Sequence, residues 1–293
     1  MTAAAPFVLA CVQTNATNDM AANVAAASRS VRAARAAGAA LIALPENVSM
    51  MANGSREIRG FARREAEHPA LADFRALAAE TGAWILIGSL SVTLEDAPEG
   101  PVANRSFLID GSGAIVARYD KIHMFDVDLA NGESYRESKN YRPGGAAVVA
   151  DSPFGRIGLT VCYDLRFPHL YRVLAHQGAT ILTVPSAFTR VTGEAHWHVL
   201  LRARAIENAA FVVAPAQTGT HPGNRVTYGH SLIVAPWGEV LADGGTEPGW
   251  VAATVDPAKC AEARAMVPAL DHDRAFTIER PPGSGTARSR AAS

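Results

Sequence analysis

The chain has 293 residues, is 48% hydrophobic and 19% charged, and carries a formal net charge of −1. That length and apolar content suit one large α/β domain with a substantial core, and the near-neutral charge gives no electrostatic reason to expect nucleic acid or an anionic membrane as partner. Three cysteines make no disulfide framework in a chain of this size, no apolar run approaches the ~18 residues needed to span a bilayer, and no Lys or Arg precedes Arg29 to open a secretory signal.

The run from Phe7 to Gln13 reads as a core strand, with Cys11 as a buried, inert thiol. A helix starts near Asp19: Met20, Val24, Ala27, Val31 and Ala34 recur at helical spacing, and Gly38 ends it. Residues 39–44 form the next strand, whose end carries Glu46. A helix over residues 70–80 puts Leu71, Phe74 and Leu77 on one face, with Gly82 behind. A strand over residues 84–93 follows. Residues 107–110 and 114–119 make a hairpin across Gly111-Ser112-Gly113, and Lys121 stands at its end.

Strand and helix then alternate from residue 156 to residue 214. Residues 156–161 are apolar and β-branched enough for a buried strand, and Cys162 follows directly. The segment after Pro168 is helical, with Leu170, Val173 and Leu174 on one face and Gly178 as a stop. Two more strands lie near residues 230–235 and 251–255, with Pro236-Trp237-Gly238-Glu239 as a turn. Cys260 falls in a C-terminal helix as another inert thiol. Alternation with interspersed hairpins implies two sheets with helices outside. The domain is expected over residues 1–280, and the Gly/Ser/Arg/Ala-rich tail, 281–293, is expected to be disordered.

Three strand ends therefore carry a carboxylate, an ammonium and a thiol. Acyl-transfer chemistry on sulfur needs those types. A carboxylate removes the thiol proton and later activates water. A lysine stabilises the developing oxyanion and helps to lower the thiol pKa. A lone cysteine between a buried strand and a helix projects from a tight turn where backbone N–H groups converge. Other residues read differently. His196 and His198 lie two apart in one helix and point to different faces; no Cys or carboxylate completes a set, so no metal is expected. Asp271-His272-Asp273 reads as a surface loop. Arg166 either meets a substrate carboxylate bidentately or pairs with Asp164 or another acid as scaffold, and both readings stay open. Arg190 is a further cation for such a carboxylate.

These motifs resemble the carbon–nitrogen hydrolase (nitrilase) superfamily from about Phe7 to about Pro268. Leu-Pro-Glu46-Asn matches its glutamate motif, Tyr-Asp-Lys121-Ile-His-Met-Phe-Asp its lysine motif and Val-Cys162-Tyr-Asp-Leu-Arg-Phe-Pro its cysteine motif. The resemblance implies a four-layer αββα sandwich and catalysis by Glu46, Lys121 and Cys162. It also implies a second glutamate that positions substrate or lysine. Glu137, before Ser138, aligns with it, and Glu133 reads as a loop carboxylate. Tyr163, Arg166 and Phe188 are the implied substrate contacts, with an oxyanion N–H near Tyr163. No metal or organic cofactor is implied.

Within the superfamily the likeness is to the amidase branch that includes deaminated glutathione amidase and ω-amidase. Pro185-Ser186-Ala187-Phe188, Ala195-His196-Trp197 and Tyr228-Gly229-His230-Ser231 carry it. Residues 202–207 and Ala216-Gln217-Thr218-Gly219 lean toward the former. The branch has Glu two residues after the first His of His-Trp, where this chain has His198. The expected substrate is a small carboxylate-bearing amide like deaminated glutathione. Alternatives are α-ketoglutaramate, an N-carbamoyl compound, or a non-catalytic binding protein of the same fold. A homodimer or larger homo-oligomer in a reducing cytoplasm is expected.

Overall fold

Alternation along the first strand decides how the molecule is layered. In β1 (Phe7–Gln13), Leu9 and Cys11 enter one hydrophobic cluster while Ala10 and Val12 enter another, because successive strand side chains point to opposite faces. A computed structural model describes residues 5–52, 54–129 and 132–279. The expected disordered tail lies outside the described residues.

After β1 come α1 (Met20–Ala36), β2 (Ala39–Ala43), α2 (Ser55–Phe61) and α3 (Pro69–Thr81). Strands β3 (Trp84–Val92), β4 (Ala103–Ile109), β5 (Ile115–Asp120), β6 (Asp126–Asp128), β7 (Ser134–Arg136), β8 (Val148–Ser152) and β9 (Gly155–Leu159) follow. The chain continues through α4 (Pro168–His176), β10 (Ile181–Thr183), α5 (Arg190–Asn208) and β11 (Phe211–Ala214). It closes with β12 (Thr218–Thr220), β13 (Val226–Tyr228), β14 (Leu232–Val234), β15 (Val240–Asp243), β16 (Gly249–Val255) and α6 (Ala258–Met266).

One sheet runs β16-β1-β2-β3-β4-β5 and the other β15-β14-β11-β10-β9-β8. Each has three parallel central strands, β1-β2-β3 and β9-β10-β11, flanked by antiparallel ones. The cluster holding Leu9, Leu41 and Leu108 also holds Leu159, Ile181 and Val213, so the sheets pack face to face. Helices α1 and α3 cover the far side of the first sheet through Val24, Val31, Phe74 and Leu77. Helices α4 and α5 cover the second through Leu170, Leu174 and Leu201. The result is the four-layer αββα sandwich.

Local chemistry explains the helix ends. The Asp19 carboxylate accepts the Ala22 N–H at 3.0 Å and caps α1. Gly82 ends α3 with a φ of 65°, which a residue without Cβ adopts freely. One expectation fails in α4: Val173 is 48% exposed. Tyr171 occupies the inward position instead, beside Leu170 and Leu174, because its ring fills the space and its hydroxyl bonds Thr160 Oγ1 at 2.7 Å. Cys11 and Cys260 are buried free thiols. Two short ribbons, β6-β7 and β12-β13, stand apart from the sheets.

Candidate active site

Glu46, Lys121 and Cys162 follow β2, β5 and β9, and the packing of the two sheets brings these strand ends to one place. Cys162 has a φ of 52°, a left-handed conformation that an L-residue holds only when its surroundings impose it. It opens a short 3₁₀ turn, Cys162–Arg166, that leads into α4. Its N–H is held by the Pro185 carbonyl at 3.0 Å, which turns the side chain into a cavity of about 500 Å³. Glu46, Lys121, Tyr163 and Phe188 also line that cavity.

Glu46 is held from four directions. Its Oε1 accepts from Lys121 Nζ at 3.0 Å and Asn104 Nδ2 at 2.9 Å. Its Oε2 accepts from the Ala187 N–H at 2.8 Å. Gln217 Nε2 donates to its backbone carbonyl at 3.0 Å. The Cys162 thiol lies beside it in the cavity wall and interacts with its charge. Glu137 grips Lys121 Nζ with both oxygens at 2.9 Å and accepts the Phe125 N–H at 2.7 Å. Lys121 thus lies between two carboxylates, 2% exposed.

The protonation states follow from burial and charge. Burial favours a neutral Glu46, but the Lys121 charge and hydrogen bond, Arg225 and the thiol outweigh it, so its carboxyl sits below the ordinary range. Burial likewise opposes the Lys121 charge, yet Glu137 and Glu46 hold that ammonium well above its usual pKa. Burial, with Glu46 beside it, pushes the Cys162 thiol up; Lys121 pulls the other way and is outweighed. This corrects the expectation of a lowered thiol pKa. The resting state is a thiol facing a carboxylate.

Glu133 also lines the cavity, where its Oε2 accepts the Tyr135 hydroxyl at 2.6 Å; it is Glu137 that meets Lys121. Arg166 does not line the cavity and pairs with no carboxylate within 4 Å among the described residues. Its guanidinium lies 5.5 Å from the Phe188 ring centroid and 3.3 Å from His196 Nδ1. Asp164, its suggested partner, is taken elsewhere: it accepts from Tyr119 Oη at 2.7 Å, the Val161 N–H at 2.9 Å and the His123 N–H at 3.1 Å. Arg190 is exposed at the start of α5.

The histidine reading also needs correction. Asp243 reaches both His198 Nε2, at 3.1 Å, and His230 Nδ1, at 2.9 Å. A carboxylate therefore does join His198, supplied by a strand 45 residues away. This cluster lies outside the cavity lining.

A family profile for carbon-nitrogen hydrolases matches residues 8–265. The chain belongs to that family. It is an amidase of the nitrilase superfamily, hydrolysing non-peptide amides. Deaminated glutathione amidase of Yersinia enterocolitica is 42% identical over 238 residues, covering 81% of this chain and 82% of that protein. The Caenorhabditis elegans NitFhit protein superposes with a TM-score of 0.87 at 34% identity over 93% of this chain; the match spans 66% of NitFhit. An amidase from Nesterenkonia sp. AN1, with a TM-score of 0.73 and 25% identity, matches over 93% of this chain and 94% of that one. That structure is of a glutamate-to-glutamine variant, which carries the acetamide moiety of fluoroacetamide covalently at its active-site cysteine.

Four residues of this amidase escaped sequence reasoning as site elements: Asn104, Asp164, Ala187 and Arg225. Asp164 alone left a local signal, an acid three residues into a strand-to-helix turn, where its side chain caps the Val161 N–H. The others act through partners far along the chain; Ala187 and Glu46 are 141 residues apart.

Proposed function

We propose that the chain hydrolyses the C–N bond of a small carboxylate-bearing amide, with deaminated glutathione as the leading substrate, through a thioester on Cys162. One observation carries this reading: a buried thiol lies beside Glu46 in one cavity wall, and Lys121 is bound to the same carboxylate. The names of the relatives support the substrate.

Glu46 takes the proton from Sγ as the sulfur bonds to the amide carbon, and the carbonyl π pair becomes an oxyanion. Lys121 and the Tyr163 N–H stabilise that charge. Collapse breaks the C–N bond, and protonated Glu46 gives its proton to the departing amine or ammonia. Water then loses a proton to Glu46 and attacks the thioester. The C–S bond breaks, and Glu46 returns the proton to sulfur. Splitting one hard step into two easier ones is the advantage of the covalent route. Glu137 positions Lys121, and Tyr163 and Phe188 form the cavity wall against which substrate packs. No step requires a cofactor.

A homodimer or larger assembly is part of this reading. Val173, Val199 and Ile206 leave apolar area exposed on α4 and α5, and sedimentation equilibrium tests it. No helix among the described residues is long and apolar enough to cross a membrane. A thiol nucleophile suits a reducing compartment such as the cytoplasm.

The test is amine and ammonia release from deaminated glutathione, α-ketoglutaramate and N-carbamoyl amino acids under one set of conditions. The reading expects deaminated glutathione to have the highest kcat/KM. Faster cleavage of α-ketoglutaramate makes the protein an ω-amidase, and carbon dioxide release makes it an N-carbamoyl amidohydrolase. Turnover of none of these overturns the substrate reading.

A further inference from the structure

Among the described residues, three cations line the cavity: Lys121, Arg136 and Arg225. Lys121 is neutralised by Glu46 and Glu137. Arg136 is forked onto Asp128, with Nη2 at 2.8 and 2.7 Å from its two oxygens. Arg225 has no ion pair within 4 Å among the described residues. Its Nη2 donates to the Ala187 carbonyl at 2.7 Å, and its Nε–H is buried with no hydrogen-bond partner. A buried donor left unpaired is costly, and a charged one more so. Such a group in a cavity wall is placed to receive an acceptor from outside the chain.

The backbone around Arg225 is built to hold it there. β12 and β13 are joined by residues 221–225, in which Gly223 and Asn224 both have positive φ. The His221 N–H donates to the Arg225 carbonyl at 2.8 Å and closes the loop. The guanidinium carbon stands 5.5 Å from the centroid of the Tyr135 ring on β7, a cation–π contact that joins the two ribbons across the cavity. Ala187 links it to the chemistry, since its carbonyl meets Arg225 while its N–H holds Glu46.

We infer that Arg225 is the carboxylate anchor of the cavity and, through its unpartnered Nε–H, binds the acid group of the amide substrate. The inference rests on the amidase reading above and moves the anchor from Arg166 to Arg225. A guanidinium matches a carboxylate with paired N–H donors in a fixed fork, and a partly desolvated site strengthens the match. The two ends of the substrate are then set by two ends of one structural unit. The acid lies on Arg225 and the amide carbon at Cys162, with Ala187 between Arg225 and Glu46. Binding energy from the remote acid fixes the orientation of the reacting amide.

The test uses the purified full chain, succinamate and its methyl ester, in the parent, Arg225→Gln and Arg166→Gln. Succinate protection of Cys162 against iodoacetamide gives a readout that needs no turnover. We expect the parent to prefer acid over ester and succinate to slow alkylation. Arg225→Gln should lose about 10- to 100-fold more in kcat/KM for the acid than for the ester, in keeping with loss of a charged hydrogen-bonded pair, and should lose succinate protection. Arg166→Gln should keep the parent's acid-to-ester ratio. An equal loss for acid and ester in Arg225→Gln overturns the inference and makes Arg225 a support for Glu46. So does succinate that protects Arg225→Gln, or that fails to protect the parent. Collapse of the ratio in Arg166→Gln moves the anchor back to Arg166. If succinate protection depends on Arg225 but neither amide turns over, the anchor stands and the amidase reading for such substrates falls.

Discussion

At the scale of single residues, the site is governed by one buried ammonium shared between a buried carboxylate, Glu46, and a partly buried one, Glu137. Removing the ammonium leaves Glu46 and Glu137 facing each other with uncompensated charge in a largely enclosed cavity wall. Lys121→Met should therefore lower stability by about 3–5 kcal/mol, the cost of breaking a buried pair from one side, and cut turnover on the order of a hundred- to a thousandfold as an oxyanion donor is lost. Urea unfolding and steady-state rates check both; near-parental values would make Lys121 a spectator. Glu46, Lys121 and Cys162 were legible because each stands directly after a strand that its own neighbours specify. Asn104, Ala187 and Arg225 were not. Their roles come from contacts such as Ala187 N to Glu46 Oε2, 141 positions apart, which no local pattern encodes. The direction of the Cys162 shift was also missed, because burial is set by packing of both sheets.

At the scale of elements, β3 shows how a strand positions a side chain of the candidate site. Its pairing with β4 slips between Ile87 and Leu90, and Gly88 sits in that slip. A Cβ there would lie 2.2 Å from the Leu44 carbonyl oxygen and 2.4 Å from Pro45. The turn carrying Glu46 thus rests directly on the backbone of Gly88, and Ser89 Oγ accepts the Asn47 N–H at 2.9 Å. Gly88→Ala should push that turn away, destabilising the fold by about 1–3 kcal/mol and reducing kcat more than it raises KM. Unchanged kinetics would mean that the turn tolerates displacement. Helices α1 and α3 and strands β1 to β3 were readable from periodicity and end signals. The ribbons β6-β7 and β12-β13 were not, since three-residue strands carry too few alternations to register.

At the scale of the whole molecule, pH dependence separates folding from chemistry. Burial lowers the pKa of both His68 and His221 from 6.5 to about 4. A depressed folded pKa contributes stability that is present above 6.5 and lost as pH falls toward 4. Urea unfolding should show a clear fall in stability between pH 7 and pH 5, and His68→Gln should flatten part of it. Activity of the folded protein should not follow that slope, because Glu46 stays ionised below its ordinary value of 4.5. Stability that is flat across this window would mean that both histidines titrate normally.

The central claim is that Cys162 carries the acyl group. The direct measurement is rapid acid quenching of the protein during turnover of deaminated glutathione, followed by intact mass and peptide mapping. The account predicts an acyl adduct confined to the peptide bearing Cys162, absent from those bearing Cys11 and Cys260, with no adduct and no turnover in Cys162→Ala. Continued hydrolysis by folded Cys162→Ala, or an adduct on another residue, would contradict it.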